Sequence, residues 1–193
     1  MSVALPILCA IVFPVAMLAA VRARNRARLA PLAELLDGQS GDLHGFLRLS
    51  LQGHRGGREA AIELTPGSRH SPPRLILRVG CAVPGSFRIG REDLHARIAK
   101  KLHLEGDVEV GDAELDAKYV FRTDDPESLK RWLRKAEVRE SLMAVMDRRG
   151  GEAIALRNGA LAAIQQRPKS ADLERGSIGE TFEALERLGQ AFD

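Results

Sequence analysis

No side chain between Ser2 and Val21 carries a charge, and Arg22, Arg24, Arg26 and Arg28 then follow on alternate positions. Few structures suit such a start. A helix of twenty residues rises roughly 30 Å, about the thickness of the hydrocarbon core of a bilayer. The run from Val3 to Val21 is therefore just long enough to span one. Pro6 fits a first helical turn. Pro14, in the middle, frees a carbonyl in a way that membrane helices tolerate better than others. The arginines behind the run predict a cytoplasmic body and an N-terminus outside. Residues 1–28 are thus expected to be a single-pass transmembrane anchor with a basic stop, placed in a cell inner membrane. Membrane lipid is then a partner, and Arg22, Arg24, Arg26 and Arg28 are candidate contacts for anionic headgroups, each adding up to about 1 kcal/mol. Two alternatives stand beside this one. Ala19, Ala20, Ala23 and Ala27 could imitate the cleavage site of a signal peptide, although no basic segment precedes the apolar run. The segment could also be a buried or peripheral helix.

Charge separates this edge from the rest. The chain carries 29 Lys and Arg against 26 Asp and Glu, and without the four arginines the balance is 25 against 26. A nearly neutral body does not call for nucleic acid as a partner. Cys9 falls inside the apolar run and Cys81 far from it, with no disulfide or metal-type spacing. Cys81, after Val79 and Gly80, reads as a small core residue.

The body changes its period along the chain. Leu29, Leu32, Leu35 and Leu36 recur at helical spacing, so residues 29–45 are expected to be a juxtamembrane helix and linker, closed by Asp37-Gly38 and Ser40-Gly41-Asp42. From Phe46 the spacing becomes two. Strands are expected over Phe46–Leu51, Arg58–Leu64, Arg74–Val79, Ser86–Ile89 and Lys118–Arg122, with an open turn at Gly53–Gly57. Ser71-Pro72-Pro73 favours extended backbone before the third strand. Glu92–Leu102 mixes both periods and reads as a short helix. Asp124-Asp125-Pro126-Glu127 opens a helix carrying Leu129, Trp132 and Leu133, and Ala136–Arg148 a second, with Val138, Leu142, Val145 and Met146 in one stripe. Asn158-Gly159 between apolar runs predicts a hairpin. A last helix, from about Ser177, shows a capping-box spacing to Glu180 and an apolar stripe of Ile178, Phe182, Leu185 and Leu188. The expected fold class is α+β, with a mainly antiparallel sheet packed with helices over residues 46–193.

Candidate sites are sparse. Six acids share the twelve positions Glu105–Asp116. Carboxylates around glycine turns can hold calcium, but Val108 and Val110 interrupt the ligand pattern of a calcium loop, and no metal is expected. His44, His54, His70, His95 and His103 are scattered, no serine stands in a nucleophile elbow, and no catalytic residue is assigned. No cofactor is expected. Arg88 and Arg91, beside glycines, are candidates for an anion or lipid contact.

Gly111-Asp112-Ala113-Glu114-Leu115-Asp116-Ala117-Lys118-Tyr119-Val120-Phe121, followed by Asp125-Pro126-Glu127, resembles a pattern of uncharacterised bacterial single-pass membrane-anchored proteins: Gly-Asp, two residues, an apolar residue and Asp before a strand. The resemblance covers roughly Phe46 to Ile164 and implies a shared domain without an assigned activity. In it, Gly111, Asp112 and Asp116 form a structural turn bracing the start of a strand. The expected function is a membrane-anchored cytoplasmic domain that binds or scaffolds an unidentified protein. The alternatives are a membrane-associated hydrolase or other enzyme, in which His70, His95 or His103 meets Asp107, Asp112 or Asp116, and a structural subunit of a membrane complex.

Overall fold

Alternation of apolar and polar residues drives the chain into one antiparallel sheet, and helices cover the apolar side. The computed structural model describes residues 29–37, 49–83, 85–91, 108–148 and 151–192, together with Met17, Ala19, Ala20, Ala23 and Ala27. Within them lie β1 (Leu49–Arg55), β2 (Arg58–Thr65), β3 (Arg74–Gly80), β4 (Phe87–Arg91), α1 (Ala113–Lys118), β5 (Tyr119–Thr123), α2 (Pro126–Leu133), α3 (Ala136–Met146), β6 (Gly151–Arg157), β7 (Ala160–Gln166) and α4 (Arg175–Gln190). The sheet order is β1-β2-β3-β7-β6-β4-β5, with every described pairing antiparallel.

The register lines up one buried row across all seven strands. Leu51 faces Ile62, Ile62 faces Leu77, and Leu77 faces Ala163. Ala163 then faces Ile154, Ile154 faces Ile89, and Ile89 faces Phe121. All seven are buried. A slip of one residue in any pairing would turn that strand's apolar set to the wrong side. α4 lies over β3 and β7, α3 over β6 and against α4, and a 3₁₀ turn at Ala30–Leu35 rests on α4. Leu142, Phe182, Leu185 and Leu188 from these helices complete the core. Polar ties lock the layers. The Trp132 indole N–H donates to the Leu188 carbonyl at 3.2 Å, and Arg55 pairs with Glu186 at 2.8 Å while lying over the Phe182 ring.

Several sequence expectations are refined. The α+β class and the antiparallel sheet are present. Gly53–Gly57 is not an open turn: β1 continues to Arg55, which faces Arg58, and only Gly56 and Gly57 turn, with φ of 56° and 75°. Two successive left-handed residues match the twist of the strands they join. Asn158 and Gly159 do the same at φ 53° and 70°. α4 starts at Arg175 with Glu174 at its N-cap, so Ser177 lies within the first turn and the capping box does not form; Ser177 and Glu180 both receive Arg148 instead. The segments Phe46–Arg48 and Glu92–Leu102 lie outside the described residues.

The expected transmembrane anchor is corrected. Among the described residues no helix is long and apolar enough to cross a membrane. A crossing needs about twenty continuous helical residues. Of the expected segment 1–28, only Met17, Ala19, Ala20, Ala23 and Ala27 are described, all exposed, with Met17 at 62%. The rest, including Arg22, Arg24, Arg26 and Arg28, lies outside the described residues. The single-pass topology, the inner-membrane location, the outward N-terminus and the lipid partner are therefore not carried forward.

Ile154 sits in the middle of the buried row with neighbours on both sides. Ile154→Ala is expected to cost about 2–5 kcal/mol through lost burial and the cavity left behind. Urea denaturation followed by circular dichroism checks this, and an unchanged midpoint would show that the row does not carry the fold.

Candidate functional site

Where β4 begins and β5 ends, the adjoining connections are stapled to each other. The Ser86 backbone N–H donates to Asp124 Oδ1 at 3.0 Å and its hydroxyl to Oδ2 at 3.3 Å. The Thr123 hydroxyl donates to the Ser86 carbonyl at 3.0 Å and accepts the Asp125 N–H at 3.1 Å. Asp125 caps α2 by accepting the Ser128 N–H at 3.1 Å, with Pro126 in the first turn. α2 then directs Leu129, Trp132 and Leu133 inward.

The C-terminal end of α4 closes over this corner. A Cβ at Gly189 would lie 3.2 Å from Arg58 Nη1, a tight approach, and at ordinary contact distance, 3.5 Å, from the Cys81 Cβ and Leu161 Cδ1. Beyond it, Ala191 and Phe192 meet Trp132 and Phe87. Trp132 and Phe192 stack with centroids 4.3 Å apart and planes 15° apart. Phe87 lies 5.1 Å from Trp132 and 5.8 Å from Phe192. Offset ring contacts of this kind add about 0.5–1.5 kcal/mol each beyond burial. Between the rings and the stapled connections opens a pocket of about 240 Å³, with Leu129 and Leu156 in its apolar wall and Ser86, Arg131 and Lys135 at its polar margin. Lys135 Nζ donates to the Ala191 carbonyl.

The charged groups here are structural in their chemistry. The N–H and hydroxyl of Ser86 hold the Asp124 carboxyl below the usual carboxylate range, and those of Ser128 do the same for Asp125. At the other end of β5, Tyr119 is pushed up to about 12 by burial and by its hydrogen bond to Asp147, 2.9 Å long. Among the described residues no group of three His, Cys, Asp or Glu could hold a metal ion.

The residues singled out from sequence lie elsewhere and are not brought together. Gly111 turns with φ 79°. The Asp116 carboxylate accepts the N–H groups of Val110, Gly111 and Asp112 at 2.9, 3.0 and 3.1 Å. Asp112 caps α1 through the N–H groups of Glu114 and Leu115, and pairs with Arg139 at 2.9 Å. This spacing is what a tightly capped six-residue helix needs just before a strand. Arg88 and Arg91 lie three residues apart on β4 and so face opposite sides of the sheet. Arg88 stands on the sheet face that no described helix covers, opposite Arg122 and 3.7 Å from Glu152, while Arg91 donates to the Met146 carbonyl. They cannot clasp one anion. His70 is exposed in the loop before β3, its backbone N–H on the Ser68 hydroxyl. His44, His95, His103, Asp107 and Cys9 lie outside the described residues. Cys81 is buried, its N–H on the Gly159 carbonyl at 2.8 Å. A hollow of about 460 Å³ on the same face is lined by His54, Glu63, Arg78 and Asn158 together with alanines and glycines. Glu63 and Arg78 there are spent on each other at 2.5 Å.

No family model, curated protein or solved structure matches the chain. The resemblance to bacterial membrane-anchored proteins over Gly111–Phe121 is accordingly corrected. Its short motif is accounted for by the hydrogen-bonding needs of a capped turn, which any fold can share.

The shifted groups make stability depend on pH. The folded pKa values of Asp124 and Asp125 are lowered, so the unfolded chain binds more protons in acid, and their stabilisation is lost as pH falls through the folded values. The melting temperature should fall below about pH 4, and Asp125→Asn should flatten that fall. A variant with the wild-type acid slope would show that the cap does not matter. The raised Tyr119 value works at the other end: its stabilisation is complete below its unfolded pKa of about 10 and is lost as pH rises through about 12. Tyr119 is the sole tyrosine, so the tyrosinate absorbance of the folded protein should appear well above pH 10, and a midpoint near 10 with the fold intact would show that the phenol is not held by burial and Asp147.

Proposed function

We propose that this domain works by binding rather than catalysis, and that the pocket walled by Phe87, Trp132 and Phe192 receives an apolar group of a partner molecule. The observation that carries the reading is the concentration of three of the chain's eight aromatic side chains around one opening of about 240 Å³. Ligand pockets are typically apolar hollows of about 300–1,000 Å³ with a few fixed polar groups. A slightly smaller one suits a single side chain or a small ring better than a cofactor. Its margin is rigid, because Ser86, Thr123, Asp124 and Asp125 already satisfy one another, so little ordering remains to be done on binding.

An enzyme would need a nucleophile or general base within reach of a reacting atom. Asp124 and Asp125 are held ionised by donors, and the Lys135 ammonium is spent on a carbonyl. The turn of Gly111, Asp112 and Asp116 acts in this reading as a brace between α1 and β5. The expected membrane-anchored scaffold is not carried forward.

Benzyl alcohol, cyclohexanol and N-acetyl-leucine amide, titrated into the protein and followed by backbone amide NMR, test the reading. Saturable shifts are expected at Ser86, Phe87, Leu129 and Lys135. Val83→Phe, which fills the pocket from its rim, should weaken them about tenfold, equivalent to about 1.4 kcal/mol. Shifts that do not saturate, or that centre on His54 and Arg78, would overturn it.

A further inference from the structure

We infer that the pocket takes a small organic acid, its apolar group between the aromatic walls and its carboxylate at Arg131 and Lys135; this rests on the binding reading above and adds the ligand's charge to it. The pocket has two chemically distinct parts. Phe87, Leu129, Trp132, Leu156 and Phe192 wall its interior, and charged side chains stand at its margin. A ligand that buries only an apolar group leaves that margin in water. One that also carries a charge of the right sign gains from both parts. The sign is set by which marginal groups still have hydrogen-bonding capacity to give.

Formally the margin balances Asp124 and Asp125 against Arg131 and Lys135. The two signs are not equally free. Asp124 accepts the N–H and the hydroxyl of Ser86 at 3.0 and 3.3 Å, and Asp125 accepts the N–H of Ser128 at 3.1 Å together with its hydroxyl. A ligand ammonium would have to share these carboxylates with the donors that staple the β4 and β5 connections and cap α2. The cations are less committed. Lys135 gives one N–H to the Ala191 carbonyl, and an ammonium has three. Arg131 is exposed in the last turn of α2, and its charge helps to keep Asp125 ionised. Among the described residues it makes no hydrogen bond or ion pair. A guanidinium offers five N–H donors in a planar fork that matches a carboxylate. Such charge-assisted bonds are roughly twice as strong as those to a neutral amide.

The test uses the full chain at neutral pH with three probes that share one ring and differ in charge: phenylacetate, phenylacetamide and phenethylamine. Trp132 is the sole tryptophan, so its fluorescence reports the pocket wall directly, and amide NMR locates the binding. Phenylacetate should bind about fivefold more tightly than phenylacetamide, and phenethylamine more weakly than either. Arg131→Gln, a change at an exposed position, should weaken phenylacetate about threefold and leave phenylacetamide unchanged. Raising sodium chloride from about 20 mM to about 500 mM on the unmutated chain should weaken phenylacetate alone, because the screening length shortens severalfold. Acetate, which has the charge without the ring, should give no saturable change. Acetate binding as tightly as phenylacetate would overturn the pairing of apolar group with charge. Phenylacetate binding no more tightly than phenylacetamide, with saturable shifts at Phe87 and Leu129 for both, would overturn the acid and leave the pocket standing. Tighter binding of phenethylamine would overturn it too, and would assign the margin to Asp124 and Asp125. Absence of binding by all three ring probes would overturn this inference together with the reading it rests on.

Discussion

The row Leu51, Ile62, Leu77, Ala163, Ile154, Ile89 and Phe121 holds the rest of the molecule in place. Each member is directly opposite the next, so seven strands far apart in sequence share one register. The hydrophobic effect is non-directional, but the pleat makes it specific, because only every second residue can face the helices. Once the row is buried, α3 and α4 have one surface to lie on, and the ends of the strands take fixed places.

The pocket is a consequence of that register. β4 sits between β6 and β5, which brings Phe87 opposite both Leu156 and Thr123. The chain leaving Thr123 must turn at once into α2, and the hydroxyl and carboxylates of Thr123, Asp124 and Asp125 satisfy the backbone groups exposed by that turn. α4, running back over β3 and β7, ends above the same corner. Three rings separated by dozens of residues therefore meet. The polar groups beside them, on Ser86, Thr123, Asp124 and Asp125, are hydrogen-bonded to one another.

The sheet face that no described helix covers behaves differently. Arg88 and Arg122 stand opposite each other there, and like charges so placed are mildly unfavourable. Glu152 offsets part of this, lying near both Arg88 and Arg74. Pairs with exposed partners contribute at most about 1 kcal/mol, so the stability of this domain belongs to the apolar side.

Much of the local structure was legible in the sequence. The alternation in Arg74–Val79, the stripes of α3 and α4, the Asn158-Gly159 turn and the acidic-Pro start of α2 follow from backbone geometry that neighbours in sequence determine. The acids at 112 and 116 showed as a turn because a capped helix needs donors and acceptors at short, fixed spacing. The long uncharged N-terminal run was another matter: spacing and lack of charge suggested a membrane span that no described helix supplies. Strand order, the meeting of Phe87, Trp132 and Phe192, and the separation of Arg88 from Arg91 onto opposite sides were decided by tertiary structure. Trp132 read only as a core residue, and nothing around Phe192 marked it as its neighbour. The reason is physical: hydrogen-bonded turns and helical stripes are set by contacts a few residues apart, whereas a pocket exists only where burial of a shared row has chosen which distant strands lie side by side.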